Sequence, residues 1–192
     1  LGFANIVNVA SMLISGLMTG GLSPINNFAE YTSFPANVLL MVAMLLGSIS
    51  FVVHFKLFTG RFREAFKKEL LLFFGIILIA VTGIFFFFNM KPEETVFHVI
   101  SASSGTGFST WDFSTFGVQL KLIFIVLMFI GGMSISTAGG IKILRLAVLM
   151  KSIPAVVRSL LFEKDAETSF DKKNYSGRDI AVNTMFILLS II

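Results

Sequence analysis

Residues Leu70 to Met90 read LLLFFGIILIAVTGIFFFFNM, a run without one charged side chain, bounded by Glu69 and Lys91. About 20 such residues at ~1.5 Å rise cover the roughly 30 Å hydrocarbon core of a bilayer, so the run reads as a transmembrane helix. Pro35 to Phe55, PANVLLMVAMLLGSISFVVHF, is a second span without Lys, Arg, Asp or Glu. A third begins near Gly117 and runs through Lys142 to Met150, and a fourth opens near Asp179 with IAVNTMFILLSII. Charged residues are 14% of the 192-residue chain, against about 25% in a soluble domain. The expected fold class is an all-α integral membrane protein.

Cysteine is absent, which excludes disulfides, thiolate metal sites and cysteine nucleophiles. No charged nucleophile–base cluster lies within the spans, so an enzyme is not expected. No signal peptide is visible. The sequence starts at Leu1 without a methionine and ends at Ile192 inside an apolar run, so it reads as a segment of a longer protein.

Charge placement orients the spans. Thirteen of the fifteen basic residues fall between the first and second spans or after the third; only Lys91 and Lys121 lie between the second and third. The basic side is expected to be cytoplasmic and the 91–121 loop external. Within that loop, Glu94 to Ser104 suits a short helix, too short to span, with Glu93 and Glu94 favoured at its N-terminus by the helix dipole. The polar stretch SSGTGFST follows. Irregular backbone at membrane depth is tolerated where it is buried in protein or lines a watery cavity; otherwise the stretch is an ordinary external loop.

A repeat bears on that choice. Asn5 to Met18 is also a short apolar stretch, followed by TGGLSP. At a shift of 86, Ile14, Ser15, Gly21 and Ser23 fall on Ile100, Ser101, Gly107 and Ser109. At a shift of 84, Gly47 and Ser50 fall on Gly131 and Ser134. Two copies of short helix, Gly/Ser/Thr loop and long span suggest a repeated pore unit. A dehydrated cation needs oxygen ligands in place of water, and peptide carbonyls of a glycine-bearing loop supply them without adding charge. The candidate ligands are Thr19, Gly20, Gly21 and Leu22 in the first copy, and Ser104, Gly105, Thr106, Gly107 and Phe108 in the second. Leu22 and Phe108 are expected to wedge each loop against surrounding helices. The competing reading is a pair of tight turns. Phosphate cradling is disfavoured, because neither GxxxxGK[ST] nor a strand followed by GxGxxG is present.

The third span holds a second anomaly, GGMSISTAGGIK, Gly131 to Lys142. From Gly117 to Met150 a straight helix would run about 51 Å, longer than the bilayer core. Gly131, Gly132, Gly139 and Gly140 with Ser134, Ser136 and Thr137 make a break plausible, since each interior glycine costs about 1 kcal/mol relative to alanine. A break inside a pore would serve as a gate; close helix packing by small residues is the alternative. Lys142 and Arg145 either snorkel to the cytoplasmic surface or, for Lys142, tune an ion path by repulsion. His54 and His98 are expected to be interfacial side chains rather than ligands. Asp112, Glu93 and Glu94 either concentrate cations at an outer mouth or are solvated loop acids.

SASSGTGFST followed by GGMSISTAGGIKILR resembles the Trk/Ktr/HKT superfamily of potassium transporters, closest to the TrkH-type membrane subunit, over nearly the whole chain. The resemblance implies a potassium-channel-like architecture of repeated helix, pore helix, filter loop and helix units, four non-identical units surrounding one pore. It implies that residues 1–66 are the pore helix, filter and inner helix of the second unit. Residues 67–150 are then the third unit with its broken inner helix, 151–178 a cytoplasmic linker, and 179–192 the start of the next outer helix. It maps the filter glycine to Gly21 and Gly107, favouring K+ over Na+, and an intramembrane gating loop to Gly131 through Lys142. It further implies a plasma (inner) membrane location among lipid, a homodimer, and a cytoplasmic nucleotide-binding regulatory subunit of TrkA/KtrA type. K+ is the transported ion, and no organic cofactor or nucleic-acid partner is expected. The segment is not expected to conduct alone. A coupled secondary transporter of another small solute, with re-entrant hairpins, is the alternative function, and a non-conducting scaffold a third.

Overall fold

A computed structural model describes residues 2–24, 34–61 and 68–150. The expected linker and the fourth span lie outside the described residues. Those described form helices and loops: α1 (Gly2–Leu17), α2 (Phe34–Ser48), α3 (Phe51–Phe58), α4 (Lys68–Phe88), α5 (Pro92–Ser104), a 3-10 turn (Phe113–Thr115), α6 (Val118–Ile130) and α7 (143–150).

Composition explains who sits inside. α4 is apolar all round and leaves Leu71, Ile79, Phe86 and Phe87 exposed, as a lipid-facing helix does. α5 carries Ser, Thr and His, yet it is the most enclosed helix: Thr95 and every residue from Phe97 to Ser104 are buried. It packs against α2, α4 and α6, while α1 packs on α2. Its buried hydroxyls are satisfied along the helix: Thr95 Oγ1 donates to Lys91 O at 2.9 Å and Ser104 Oγ to Ser101 O at 3.0 Å. Polar side chains are thus held, hydrogen-bonded, inside an apolar shell.

Among the described residues, α4 is the one helix long and apolar enough to cross a membrane by itself. The span expected as continuous from Pro35 to Phe55 is instead bent by 99° between α2 and α3. Ser50 caps the new helix, its side chain accepting from the Val52 amide at 3.3 Å. The freed carbonyls of Gly47 and Ser48 find donors in a distant segment: Thr137 N at 3.1 Å and Met133 N at 3.0 Å.

That segment is the 131–142 stretch, which is not helical. α6 stops at Gly131, whose φ is +72. The chain loops out and returns to the same place: Ile141 N donates to Phe129 O at 3.0 Å, Lys142 N to Ile130 O at 3.1 Å and Ile143 N to Gly132 O at 3.2 Å. The last carbonyls of α6 are therefore capped by the residues that open α7. The neck closes only because it lacks side chains. A Cβ on Gly131 would overlap the Gly139 carbonyl oxygen, and one on Gly140 would sit 2.7 Å from the Gly131 Cα.

Candidate functional site

α1 and α5 each end in a polar loop, and the two loops share one hydrogen-bond frame. In the first, Thr19 N donates to Gly16 O at 3.1 Å and Gly20 N to Ser15 O at 2.8 Å. In the second, Gly105 N donates to Ala102 O at 3.0 Å and Thr106 N to Ser101 O at 3.1 Å. Each partner pair is displaced by the 86 residues of the sequence repeat. Backbone angles repeat too: φ is +52 at Thr19 and +74 at Gly105, then +67 at Gly21 and +84 at Gly107. Alternating left-handed residues turn successive carbonyls in a way that an L-residue chain rarely permits.

Serine 15 and serine 101 anchor the loops in opposite senses. Ser15 Oγ accepts from Leu22 N at 2.7 Å, whereas Ser101 Oγ donates to Phe108 O at 2.7 Å. Ser104 Oγ and Thr106 Oγ1 lie 2.7 Å apart, and Ser104 Oγ also accepts from Thr106 N at 3.2 Å. Phe108 packs into the core at 4% exposure. Leu22 does not wedge as expected; it is 77% exposed, because nothing among the described residues covers it.

The loops face one another. A Cβ on Gly21 would overlap the Thr106 carbonyl oxygen, while one on Gly107 would meet nothing within 4 Å. Gly21 is thus a close-approach glycine, and Gly107 borders open space.

The 131–142 loop lies against the first of these units. Thr137 Oγ1 is 2.9 Å from Gly47 O and 3.1 Å from Leu17 O, and Thr19 Oγ1 donates to Thr137 O at 2.9 Å. Phe51 N donates to Ile135 O at 2.9 Å. Two charged side chains hold the loop from its other side. Glu69 Oε1 accepts from Ser134 N at 2.5 Å. Lys142 Nζ donates to Ser136 O at 3.2 Å and to Ala138 O, so its ammonium turns back onto the loop rather than snorkelling outward. Lys142 itself is left-handed, φ +77, as is Ile135 at +57.

His98 is not interfacial. It is 2% exposed, with Nδ1 2.7 Å from Glu94 O, and Trp111 stacks on it at 3.8 Å between ring centroids. His54 is half-buried, its Nδ1 3.0 Å from Ser50 O. Glu94 accepts from Trp111 Nε1 at 2.7 Å and lies 3.5 Å from Lys91 Nζ. Asp112 caps the 3-10 turn, accepting from Ser114 N at 2.9 Å, and the Ser114 hydrogen bonds hold its carboxyl below the usual carboxylate range. Glu94 and Asp112 therefore have structural partners within residues 91–114. Sequence reasoning missed Glu69, the Ser101 tether and the His98 cluster. The serine match at 15 and 101 was the available signal for the tether.

Two short helices, α5 buried and α1 largely exposed, each ending in a glycine loop and repeated within the chain beside the long apolar α4, define an all-α membrane protein. The sequence profile of the TrkH family, described as "Cation transport protein", matches residues 92–192. The chain belongs to this TrkH family of cation transport proteins. It is 31% identical over 148 residues to the Trk system potassium uptake protein TrkH of Halomonas elongata, covering 71% of this chain and 31% of that one. It is 29% identical over 158 residues to an uncharacterised cation transporter of Methanocaldococcus jannaschii, covering 81% and 32%. The Escherichia coli K12 TrkH is 26% identical over 144 residues, covering 69% and 30%. The chain thus spans about a third of the length of these curated relatives. The crystal structure of the potassium transporter TrkH from Vibrio parahaemolyticus shares its fold, with a TM-score of 0.72 at 20% identity, over 90% of this chain and 40% of that one.

Proposed function

We propose that this chain forms two of the repeated units around a K+-translocating pore. Residues 1–66 supply the pore helix, filter and inner helix of one unit, and residues 67–150 the complete next unit. The peptide oxygens of Thr19, Gly20 and Gly21, and of Ser104, Gly105, Thr106 and Gly107, line the ion path. Leu22 and Phe108 close the outer end of each loop. Phe108 acts chiefly as an anchor, since its carbonyl already accepts from Ser101. The observation that carries this reading is the meeting of two loops with one hydrogen-bond frame, glycine of one against carbonyl of the other.

Below them, Gly131 to Lys142 is the gate. It stands out from a helix whose two halves stay stitched at the neck, so it can move without unfolding α6. Relatives named as Trk system potassium uptake proteins support K+ as the substrate; the family resemblance implies a plasma-membrane setting and a cytoplasmic regulatory subunit of TrkA/KtrA type. A homodimer completes the proposed assembly. The close approach of the loops favours a bare ion over a larger solute, which would need a roomier midplane site.

Gly107→Ser in the full-length protein tests the filter. The added side chain has open space, so its cost is the left-handed backbone, about 1–2 kcal/mol for a non-glycine residue. K+ uptake should persist with a reduced preference over Na+. Unchanged preference in a correctly inserted variant would overturn the assignment.

A further inference from the structure

The two copies of the loop part company just outside the filter. In the second copy the chain leaving Phe108 folds back along α5, and His98 bridges the two arms. Its Nε2 lies 3.1 Å from Thr110 N. An amide can only donate, so Nε2 is the bare acceptor. Nδ1 then carries the proton and donates to the Glu94 carbonyl at 2.7 Å. Both ring nitrogens are committed, and the tautomer follows from the partners alone. Trp111 lies flat on the imidazole, 12° from parallel, and its own Nε1 reaches back to Glu94 Oε2 at 2.7 Å. Ser109 Oγ, 3.3 Å from Nε2, accepts from Trp111 N at 3.0 Å. Phe113 and Phe124 enclose the ring edge-on.

At the same shift of 86, His98 corresponds to Met12 and Thr110 to Pro24. Methionine offers that arm no comparable acceptor, and proline has no N–H to give. Acceptor and donor are both present in one copy and both missing from the other. The difference is therefore a matched pair of changes, not one stray histidine in an apolar helix.

We propose that His98 is a positioning residue for the second filter loop: it fixes the outer arm at Thr110 and so sets how well residues 105–107 discriminate between alkali ions. The proposal rests on the pore reading above. The Ser101–Phe108 bond pins the loop at one level, and the His98–Thr110 bond pins it one level further out. With both made, the carbonyls between Gly105 and Phe108 have little freedom to close around a smaller ion. With the outer one lost, the arm is held by Ser101 at Phe108 and by Glu94 at Trp111, and the stretch between them is untethered at Thr110.

Three variants of the full-length protein test this. His98→Met installs the residue of the first copy, and His98→Asn keeps polarity but is too short to reach Thr110. His98→Gln places an amide oxygen near the Nε2 position. One net hydrogen bond corresponds to about a fivefold effect, so the K+-over-Na+ preference of uptake should fall about fivefold in H98M and H98N and recover in H98Q. Amide exchange of the peptide spanning 105–116 should accelerate in the first two and not in the third. A folded H98M or H98N that keeps its ion preference overturns the proposal, whatever its exchange. If the wild-type protein carries no K+, the pore reading falls by itself. Exchange then still decides the fixing of the arm: equal rates in all variants overturn it, and faster rates in H98M and H98N but not H98Q support it.

Discussion

At Gly21 the backbone is left-handed, φ +67, and lies against the Thr106 carbonyl of the neighbouring loop. Both constraints oppose a side chain, the first by a modest cost and the second outright. The angle costs an L-residue about 1–2 kcal/mol. The overlap is backbone against backbone, which no rotamer change relieves. Gly107 has only the first constraint. Gly21→Ala should therefore abolish K+ uptake in the full-length protein, whereas Gly107→Ser keeps uptake and alters ion preference. Radiotracer uptake at matched membrane expression separates the two. If G21A transports as well as G107S, the loops do not meet at this point. The repeat in the sequence pairs Gly21 with Gly107 and says nothing of this inequality, because it arises from which loop leans on which. His98 was opaque in the same way: its partner, Thr110, is brought to it by the fold of the return arm.

The 131–142 loop is an element defined by what it docks on. Its glycines were visible as a weak point in a helix too long for the bilayer, and Gly131 and Gly140 both carry positive φ where the chain turns. The bend between α2 and α3 was not visible. Gly47, Ser48 and Ser50 interrupt an otherwise apolar run but are too few to mark a 99° bend, and the donors that satisfy its broken carbonyls, Met133 and Thr137, come from the other repeat. The two breaks hold each other open. Thr137 is the centre of that contact, its hydroxyl within reach of both Gly47 O and Leu17 O and its carbonyl taken by Thr19. Thr137→Val keeps the shape and removes the hydroxyl, leaving Leu17 O without that donor while Gly47 O keeps the residue 137 amide. A net loss of about 1 kcal/mol corresponds to about fivefold in the equilibrium between docked and released loop. With the loop as gate, T137V should raise K+ flux by about that factor without changing ion preference, since valine keeps the backbone carbonyl that accepts from Thr19. Flux in liposomes measures the first and K+/Na+ competition the second. Lower flux would mean that the docked loop is the conducting arrangement.

At the scale of the whole molecule, buried hydroxyls and peptide oxygens around α5 are enclosed by helices whose outer faces are phenylalanine and leucine. Peptide oxygens directed at one another across a pore repel unless a cation lies between them. A cation that binds this arrangement and not the unfolded chain must stabilise the fold by mass action, by about 2.7 kcal/mol at a concentration 100 times its dissociation constant. Thermal unfolding of the full-length protein in detergent should therefore shift upward in K+ relative to choline at equal ionic strength, and by less in Na+. The choline reference removes the general effect of salt on surface charges, which does not distinguish one monovalent cation from another. Gly107→Ser should narrow the gap between K+ and Na+ while leaving the choline midpoint displaced only by its backbone cost. Thr137→Val should leave the gap intact, because the Thr137 carbonyl that holds Thr19 is kept. Identical midpoints in K+, Na+ and choline would mean that no cation is held between the loops. Their close approach would then be a packing contact without a conducting role.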